Sequence, residues 1–320
     1  MVWSPDGHSL LSANSDTTLT IWNVADGSVR LTLRGHTYAV FAVAWSPDGR
    51  WLASGGFDHK VHIGDATTGV CVRVIQAHTD LVYRLVWSPD GQWLAGTGRD
   101  QTVRIWDIHS GACRWIARGH TSPINEVVWS PDGQRLASCS EDHTVRLWRA
   151  AAGALLQTLA GHQSAVAGVA WSPDGRLLAS AGATGATGEL LVWDAESGEL
   201  LRAFAGITSV VFKIAWSKDR KVLLSGGSGG VIRFWDVVSG AELAHRQSHL
   251  GWIRSLSVSP DGERLLSSGE DGVIHLWEIA RAELMRTLRI DRPYERMDIH
   301  NLTGISETQR AALIALGAMA

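Results

Sequence analysis

Residues 119–148 read GHTSPINEVVWSPDGQRLASCSEDHTVRLW, and this stretch is the template on which the chain is built. An apolar run ending Val-Val-Trp is followed by a Ser-Pro-Asp-Gly turn and by two further short runs of strand-forming residues. The pattern recurs at a spacing of 42 residues, lengthened once by an insertion. The tryptophan before the turn lies at Trp3, Trp45, Trp87, Trp129, Trp171 and Trp216, and Val258 takes its place in the seventh copy.

A period near 40 with four strand-like runs per unit predicts a β-propeller. One unit of this size cannot bury an apolar core, so neighbouring units must supply it. Both alternating faces of the run Val40–Trp45 are apolar, which is typical of a strand packed between neighbouring sheets. We therefore expect one all-β domain over residues 1–290, a seven-bladed propeller of four-stranded antiparallel blades.

Turn residues set the predicted strand bounds within a repeat. In the second copy the expected strands are Val40–Trp45, Trp51–Ser54, Lys60–Ile63 and Cys71–Ile75. The sixth copy departs from the turn sequence and reads Ser-Lys-Asp-Arg at residues 217–220. Without proline and glycine, a looser bend is expected there.

Composition restricts the classes of partner. A net charge of −3 and a pI near 6.5 give no electrostatic reason to expect nucleic acid or an anionic membrane. No apolar run is long enough to span a bilayer, and Met1 leads directly into a strand rather than a signal peptide. Cys71, Cys113 and Cys139 are not expected to pair, and free thiols suit a reducing cytoplasm. We expect a cytoplasmic monomer.

The turn and the anchors at fixed offsets resemble the WD-repeat family over residues 1–290. This resemblance implies a structural hydrogen-bond network that joins a histidine before strand one, a serine or threonine in strand two, an aspartate in the next turn and a tryptophan in strand three. A buried aspartate requires donors, and the imidazole, hydroxyl and indole groups supply them. Two repeats have the full set: His120, Ser138, Asp142 and Trp148, and His249, Ser267, Asp271 and Trp277.

Other repeats lack members of this set. The second has Gly64 in place of the tryptophan, and the third has Gly96 in place of the serine. In the fifth, the aspartate is lost to an insertion at residues 183–188. The sixth has Ile207 and Gly229 where the histidine and the aspartate are expected. On this basis the fourth and seventh blades are predicted to be the stiffest.

The repeated His-Ser-Asp sets also suggest a hydrolase triad. A catalytic set need occur only once, whereas these copies recur at a fixed register, so the structural interpretation is preferred. The closest pair of histidines, His59 and His62, would lie on opposite faces of a strand and could not share a metal. We expect no catalytic residue, no metal and no cofactor.

The resemblance also implies a binding face. In this family, partners dock around the central opening, where the side chains three and five residues after the conserved histidine emerge. Here these positions hold four aromatic residues and an arginine, the types enriched at binding hot spots. The predicted contact residues are Phe41, Leu81, Tyr83, Asn125, Phe212, Trp252 and Arg254. The open alternative is that the aromatic side chains pack between blades as core.

Residues 291–320 leave the repeat pattern. They predict a C-terminal extension with a strand-like segment at Met297–Leu302 and a short helix after Ser306. The extension resembles the end of bacterial WD-repeat proteins, in many of which the propeller is the sensor behind a signalling ATPase or GTPase of the STAND class. Only three residues precede the first turn, so we expect the extension to cover the inner edge of the first blade; the open alternative is that residues upstream of this sequence supply that strand.

These features predict a non-catalytic protein-interaction scaffold, the sensor or recognition module of a bacterial signalling protein. It would bind a protein or peptide through the face around the central channel. The alternative is a small-molecule or sugar binder, or a propeller enzyme, with its site at the channel mouth. An acidic funnel at the mouth would favour that alternative, and an apolar face rimmed by charge would favour a protein partner.

Overall fold

A computed structural model describes residues 1–184, 187–288 and 306. The strands form seven antiparallel sheets, each made of four consecutive strands of the chain. These sheets are the blades of a propeller, and the first strand of each blade lies against the first strands of its neighbours, innermost around a central channel. The predicted all-β, seven-bladed fold is confirmed. In the part of the chain that the structure describes, no helix could span a membrane.

The strands are numbered in chain order, from the innermost to the outermost strand of each blade. Blades 1 to 3 contain β1 to β12, at Val2–Trp3, Ser9–Ala13, Leu19–Asn23, Val29–Leu33, Val40–Trp45, Trp51–Gly56, Lys60–Asp65, Cys71–Gln76, Val82–Trp87, Trp93–Gly98, Val103–Asp107 and Cys113–Ala117. Blades 4 and 5 contain β13 to β20, at Ile124–Trp129, Arg135–Ser140, Thr144–Arg149, Leu155–Ala160, Val166–Trp171, Leu177–Thr184, Thr187–Asp194 and Leu200–Ala203. Blades 6 and 7 contain β21 to β28, at Val211–Trp216, Val222–Gly227, Val231–Asp236, Glu242–Gln247, Ile253–Val258, Arg264–Gly269, Ile274–Glu278 and Glu283–Leu288.

The apolar core lies between adjacent blades. Between blades 2 and 3, Val61 and Ile63 of β7 belong to the same buried cluster as Val82 and Leu85 of β9 and Trp106 of β11. Corresponding clusters join the other neighbouring blades. Each blade therefore depends on its neighbours for burial, as expected for a repeat of this size.

Side chains of the turn sequence hold the first hairpin of each blade. In blade 2, the Ser46 hydroxyl donates to Asp48 at 2.5 Å and accepts the Trp51 N–H at 2.8 Å. The Gly49 N–H donates to the Ser46 carbonyl at 2.9 Å. Gly49 has a φ of +72°, a left-handed conformation that glycine adopts without steric penalty.

The expected looser bend in blade 6 is wrong. The Ser217 hydroxyl donates to Asp219 at 2.6 Å, and the Arg220 N–H donates to the Ser217 carbonyl at 3.0 Å, as in blade 2. Arg220 adopts a φ of +64°, the conformation that glycine has at this position elsewhere. The serine–aspartate pair therefore maintains the turn, although Arg220 takes up a backbone conformation unfavourable for a residue with a side chain.

Three strands of blade 2 are longer than the sequence predicts. Strands β6, β7 and β8 extend to Gly56, Asp65 and Gln76, beyond the predicted Ser54, Ile63 and Ile75. The second strand continues through two glycines because the packing requires them. A Cβ on Gly56 would lie 2.2 Å from the Ala39 carbonyl oxygen, so only glycine permits this close approach.

Blades 7 and 1 close the ring. The indole N–H of Trp3 donates to the Ser257 carbonyl at 3.0 Å, and the Arg286 guanidinium donates to the Val24 carbonyl at 3.0 Å. Strand β1 is short and pairs with Leu10 and Leu11 of β2. The predicted covering strand Met297–Leu302 and the helix after Ser306 lie outside the described residues.

Candidate functional site

The four predicted network residues of blade 4 are in contact. The His120 ring places Nδ1 2.7 Å from Asp142 and Nε2 2.8 Å from the Ser138 hydroxyl, which accepts the Trp148 indole N–H at 2.8 Å. The same contacts occur in blade 7, at 3.0, 2.8 and 3.0 Å, between His249, Asp271, Ser267 and Trp277. Burial lowers the pKa of His120, and the bond to Asp142 opposes this shift. The imidazole is therefore held neutral, as a relay between carboxylate and hydroxyl.

Blade 5 has an acid that sequence analysis missed. Glu189, which follows the insertion, replaces the lost aspartate: its carboxylate lies 2.9 Å from His162 Nδ1 and accepts the Gln163 N–H at 3.0 Å. Ser180 and Trp193 complete the network at 2.6 and 2.8 Å. The longer glutamate side chain compensates for its shifted position. Blade 5 therefore also has a complete network, which removes the reason for ranking blades 4 and 7 as the only fully connected ones.

Blade 3 lacks the serine contact and has an arginine on its aspartate. His78 Nδ1 lies 2.9 Å from Asp100, but its buried Nε2 has no hydrogen-bond partner among the described residues. Arg104 donates to Asp100 at 2.9 Å and to the Ala77 carbonyl at 3.0 Å. Although burial raises the pKa of Asp100, the hydrogen bonds from His78 and its neighbours hold that pKa well below its usual range. In blade 6, only the bond from Trp235 to Ser225 remains, at 2.8 Å.

Blade 2 lacks the tryptophan and holds a second histidine instead. His36 contacts Asp58 and Ser54, each at 2.8 Å. The His62 ring stacks on His36 at a centroid distance of 4.0 Å, next to Gly64. Burial and the neighbouring His36 lower the pKa of His62 to about 4. In the sequence analysis, His59 and His62 were considered as a possible metal-binding pair. The structure instead places His62 against His36, which is distant in the chain.

The serines of the network are poorly placed for catalysis. Ser138, Ser180 and Ser267 are fully buried, and each hydroxyl is engaged by a histidine and a tryptophan within its own blade. A nucleophilic serine must be reached by its substrate. These sets therefore act as structural ties in the blades.

Six of the seven predicted contact residues line one cavity at the mouth of the central channel. The cavity has a volume of about 850 Å³. It is lined by Phe41, Leu81, Tyr83, Asn125, Phe212 and Arg254, while Trp252 stands beside it. We call this region the opening face. Asn125 is already engaged, since its amide donates to the Val166 carbonyl at 3.0 Å.

Aromatic side chains on the opening face form two pairs. Phe41 stacks on Phe57 with centroids 4.8 Å apart and planes at 5°. Phe212 packs against Trp252 at 5.0 Å, and the Arg254 guanidinium lies over the Trp252 ring at 4.8 Å. Phe41 is 56 % exposed and Trp252 42 % exposed. These two side chains are therefore on the surface, and the alternative of ordinary core does not apply to them.

Three charged side chains lie on the inner strands, one position after the predicted contact residues. They were missed in the sequence analysis. The Glu126 carboxylate is 3.1 Å from the Arg84 guanidinium and 3.3 Å from the Lys213 ammonium. All three occur six residues after the network histidine or its equivalent, within otherwise apolar strands. Blade 5 has Gly168 at this position, and a Cβ there would lie 3.5 Å from Glu126. The sequence could have predicted this cluster, because charged residues are unusual within an apolar inner strand.

Seven segments of the chain match a family model, WD40 (WD domain, G-beta repeat), at residues 1–23, 27–65, 69–107, 111–149, 153–194, 198–236 and 240–278. The chain belongs to the WD40 repeat family. None of the curated proteins compared with the chain matches it.

The WD40 repeats are offset by one strand from the blades. The segment 27–65 begins with β4, the outer strand of blade 1, and continues through β5 to β7 of blade 2. The same offset applies to the later segments. Each of the six segments after the first therefore contributes to two blades, which links neighbouring blades through the chain itself.

Proposed function

We propose that this WD40 propeller is a non-catalytic recognition module that binds a protein or peptide segment across the opening face. WD40 propellers commonly act as protein-interaction scaffolds. The observation that carries the proposal is the exposure of aromatic side chains around one opening, at Phe41, Phe57 and Trp252. Large exposed apolar groups beside a cavity are characteristic of interaction sites.

Charge at the floor of the opening restricts the chemistry of the partner. Arg84 and Lys213 share the single carboxylate Glu126, so this cluster has one positive charge in excess. Both cations line the cavity. A partner that inserts an apolar side chain and presents a carboxylate nearby would match both features, because a buried charge needs an opposite charge.

The same observations weigh against a sugar site or a propeller enzyme. Among the described residues that line the cavity, Glu141 is acidic, whereas Arg84, Lys213 and Arg254 are cationic. A hydrolytic site would require paired carboxylates or an accessible nucleophile at the mouth. An apolar mouth with a single carboxylate among its described lining residues favours a peptide partner instead.

The setting of the module is part of the same proposal. We propose that it is the sensor of a bacterial signalling protein and acts as a monomer in the cytoplasm. The support is the resemblance of the extension at residues 291–320 to bacterial WD-repeat proteins of the STAND type, together with the unpaired cysteines.

Selection from a random peptide library on the immobilised propeller tests the function. We expect enriched peptides to combine a large apolar residue with an acidic one. Their affinity, measured by fluorescence anisotropy, should fall at least about tenfold in Phe41→Ala and Trp252→Ala, since hot-spot truncations cost 2 kcal/mol or more. Leu243→Ala is the control, because Leu243 is 57 % exposed on the outer strand β24.

The expected control result is an unchanged affinity and melting temperature. Peptide binding that survives both aromatic substitutions would contradict the opening face as the site. Failure to enrich any peptide, combined with saturable binding of a sugar or other small molecule, would favour the alternative function.

A further inference from the structure

Blade 2 contains a small cavity where other blades have the network tryptophan. Gly64 occupies the tryptophan position, and the space beside it has a volume of about 20 Å³. Its lining includes His36, Ser54, His62 and Cys71. A space of this size accommodates one water molecule or one ion.

The donor groups of this space, together with Asp58 on the far side of His36, are suited to a transition metal. His36, Asp58 and His62 each offer one ligand atom, and these atoms lie within 4.8 Å of one another. Cys71 Sγ lies 3.8 Å from His62 Nδ1. Imidazole, carboxylate and thiolate are the ligands that zinc prefers, and bonds of 2.0–2.3 Å place tetrahedral donors about 3.3–3.7 Å apart. A tetrahedral site requires the His62 ring to turn off the face of His36, on which it stacks, and the Cys71 side chain to rotate towards the other three ligands.

Loss of the tryptophan also changes what the histidine can do. In blade 4, the Trp148 N–H takes one of the two lone pairs of the Ser138 oxygen, which favours a serine hydroxyl directed to His120 Nε2 and an imidazole proton on Nδ1, towards Asp142. In blade 2, no indole of the described residues donates to Ser54. The Ser54 oxygen can therefore accept a proton from His36 Nε2, so that Nδ1 becomes a free lone pair facing Asp58. A serine that holds the remote N–H of a metal-binding histidine is a familiar supporting contact.

We propose that blade 2 binds a single zinc ion, or a divalent transition metal of similar preference, through His36, Asp58 and His62, with Cys71 as the fourth ligand. Metal takes the place of the proton shared by His36 and Asp58. The His36 proton moves to Nε2, and the Cys71 thiol releases its own proton to become a thiolate. Cys71 is exposed, so one of the proposed ligands lies at the protein surface.

Two other blades contain parts of this set and serve as internal controls. In blade 7, His275 stands opposite Ser267 as His62 stands opposite Ser54. There, however, Trp277 stacks on His275 at 5.7 Å, and Leu284 takes the place of Cys71. In blade 3, Cys113 has the register of Cys71 but is preceded by Arg104 at the position of His62.

Titration of the metal-free full-length protein with Co²⁺, followed by competition with Zn²⁺, tests the site. We expect one Co²⁺ per chain, with visible ligand-field bands and a near-ultraviolet thiolate charge-transfer band. His62→Ala should weaken the affinity for Zn²⁺ at least about tenfold, and His275→Ala should not, because loss of even a supporting group costs metal sites 10- to 100-fold. Cys71→Ser should abolish the thiolate band, and Cys113→Ser should leave it unchanged.

Gly64→Trp provides a second test, in which the indole must displace the His62 ring from the face of His36 because the space beside Gly64 is only about 20 Å³. A Cβ on Gly64 meets the Val70 carbonyl oxygen and Leu33 Cδ2 at 3.6 and 3.7 Å, which are ordinary contacts. The variant restores the residue found in the other blades, so it should remain folded by circular dichroism while losing Co²⁺ binding. The proposal is overturned if the wild type shows no Co²⁺ spectrum that Zn²⁺ displaces. It is also overturned if binding persists in His62→Ala or Gly64→Trp, and Cys71 is excluded as a ligand if its variant keeps the thiolate band.

Discussion

Glu189→Asp shortens the acid of the blade 5 network by one methylene and preserves its charge. Withdrawing the carboxylate by about 1.5 Å takes it out of hydrogen-bond range of His162 Nδ1 and of the Gln163 N–H, now at 2.9 and 3.0 Å. The His162 side chain is completely buried, so water cannot replace the lost acceptor. A buried donor left without a partner costs about 1–3 kcal/mol, whereas the exposed Gln163 amide can be solvated. We therefore expect a loss of about 1–3 kcal/mol, confined to blade 5.

Native-state hydrogen exchange measures this loss locally, which matters because a ring of repeats need not unfold in one step. Peptides from β18 and β19 should exchange with an opening free energy lowered by the full amount, while peptides from β14 and β15 of blade 4 should not change. Glu199→Asp is the matched control, since it makes the same chemical change at an exposed turn of blade 5. Equal exchange in the two variants, or a loss spread evenly over all blades, would refute the idea that Glu189 replaces the missing aspartate.

Two further predictions concern the network. Burial lowers the pKa of each network histidine that is completely buried, so the unfolded chain binds more protons than the native protein below its own histidine pKa of about 6.5. The histidines concerned are His78, His120, His162 and His249. The free energy of unfolding should therefore fall between pH 7 and 5, by up to about 1.4 kcal/mol per pH unit for each histidine. A free energy of unfolding in urea that does not change over this pH range would contradict the prediction. Separately, Gly96→Ser in blade 3 should destabilise the protein by about 1–3 kcal/mol through overpacking, although it restores the family residue, because a Cβ there would lie 2.7 Å from the Trp106 ring. Gly96→Ala should lower the melting temperature equally, and a gain in stability from serine would show that the space can be reopened.

The repeat pattern was sufficient to predict the blades because local chemistry decides them. A serine, an aspartate and a residue that tolerates positive φ make each first turn, and the strands on either side follow from alternation. The same local view failed where the decisive contact was distant. Gly55 and Gly56 read as the end of a strand, yet they continue it, because neighbouring inner strands approach too closely for a side chain.

Site residues could be predicted where they occur at a fixed spacing from the network histidine of their repeat. The offset from the network histidine located Phe41 and Trp252, but it said nothing of Phe57, which comes from another loop and stacks on Phe41. It also missed Glu189, because an insertion moved the acid and a longer side chain restored its reach. His36 and His62 were not considered together, since only the folded blade brings them into contact. Spacing along the chain therefore predicts repeated contacts well and unique contacts poorly.

The ion pair between Lys213 and Glu126 has a mechanical consequence. Lys213 belongs to blade 6 and Glu126 to blade 4, so their contact spans the inner strand of blade 5 beside Gly168. The other contacts between blades described above join adjacent blades, through buried apolar clusters. The ion pair adds a contact between two non-adjacent blades and so opposes a change in the distance between their inner strands. A ligand carboxylate that bound the Lys213 ammonium in place of Glu126 would break this contact. The relative positions of blades 4 and 6 would then depend on what is bound at the channel.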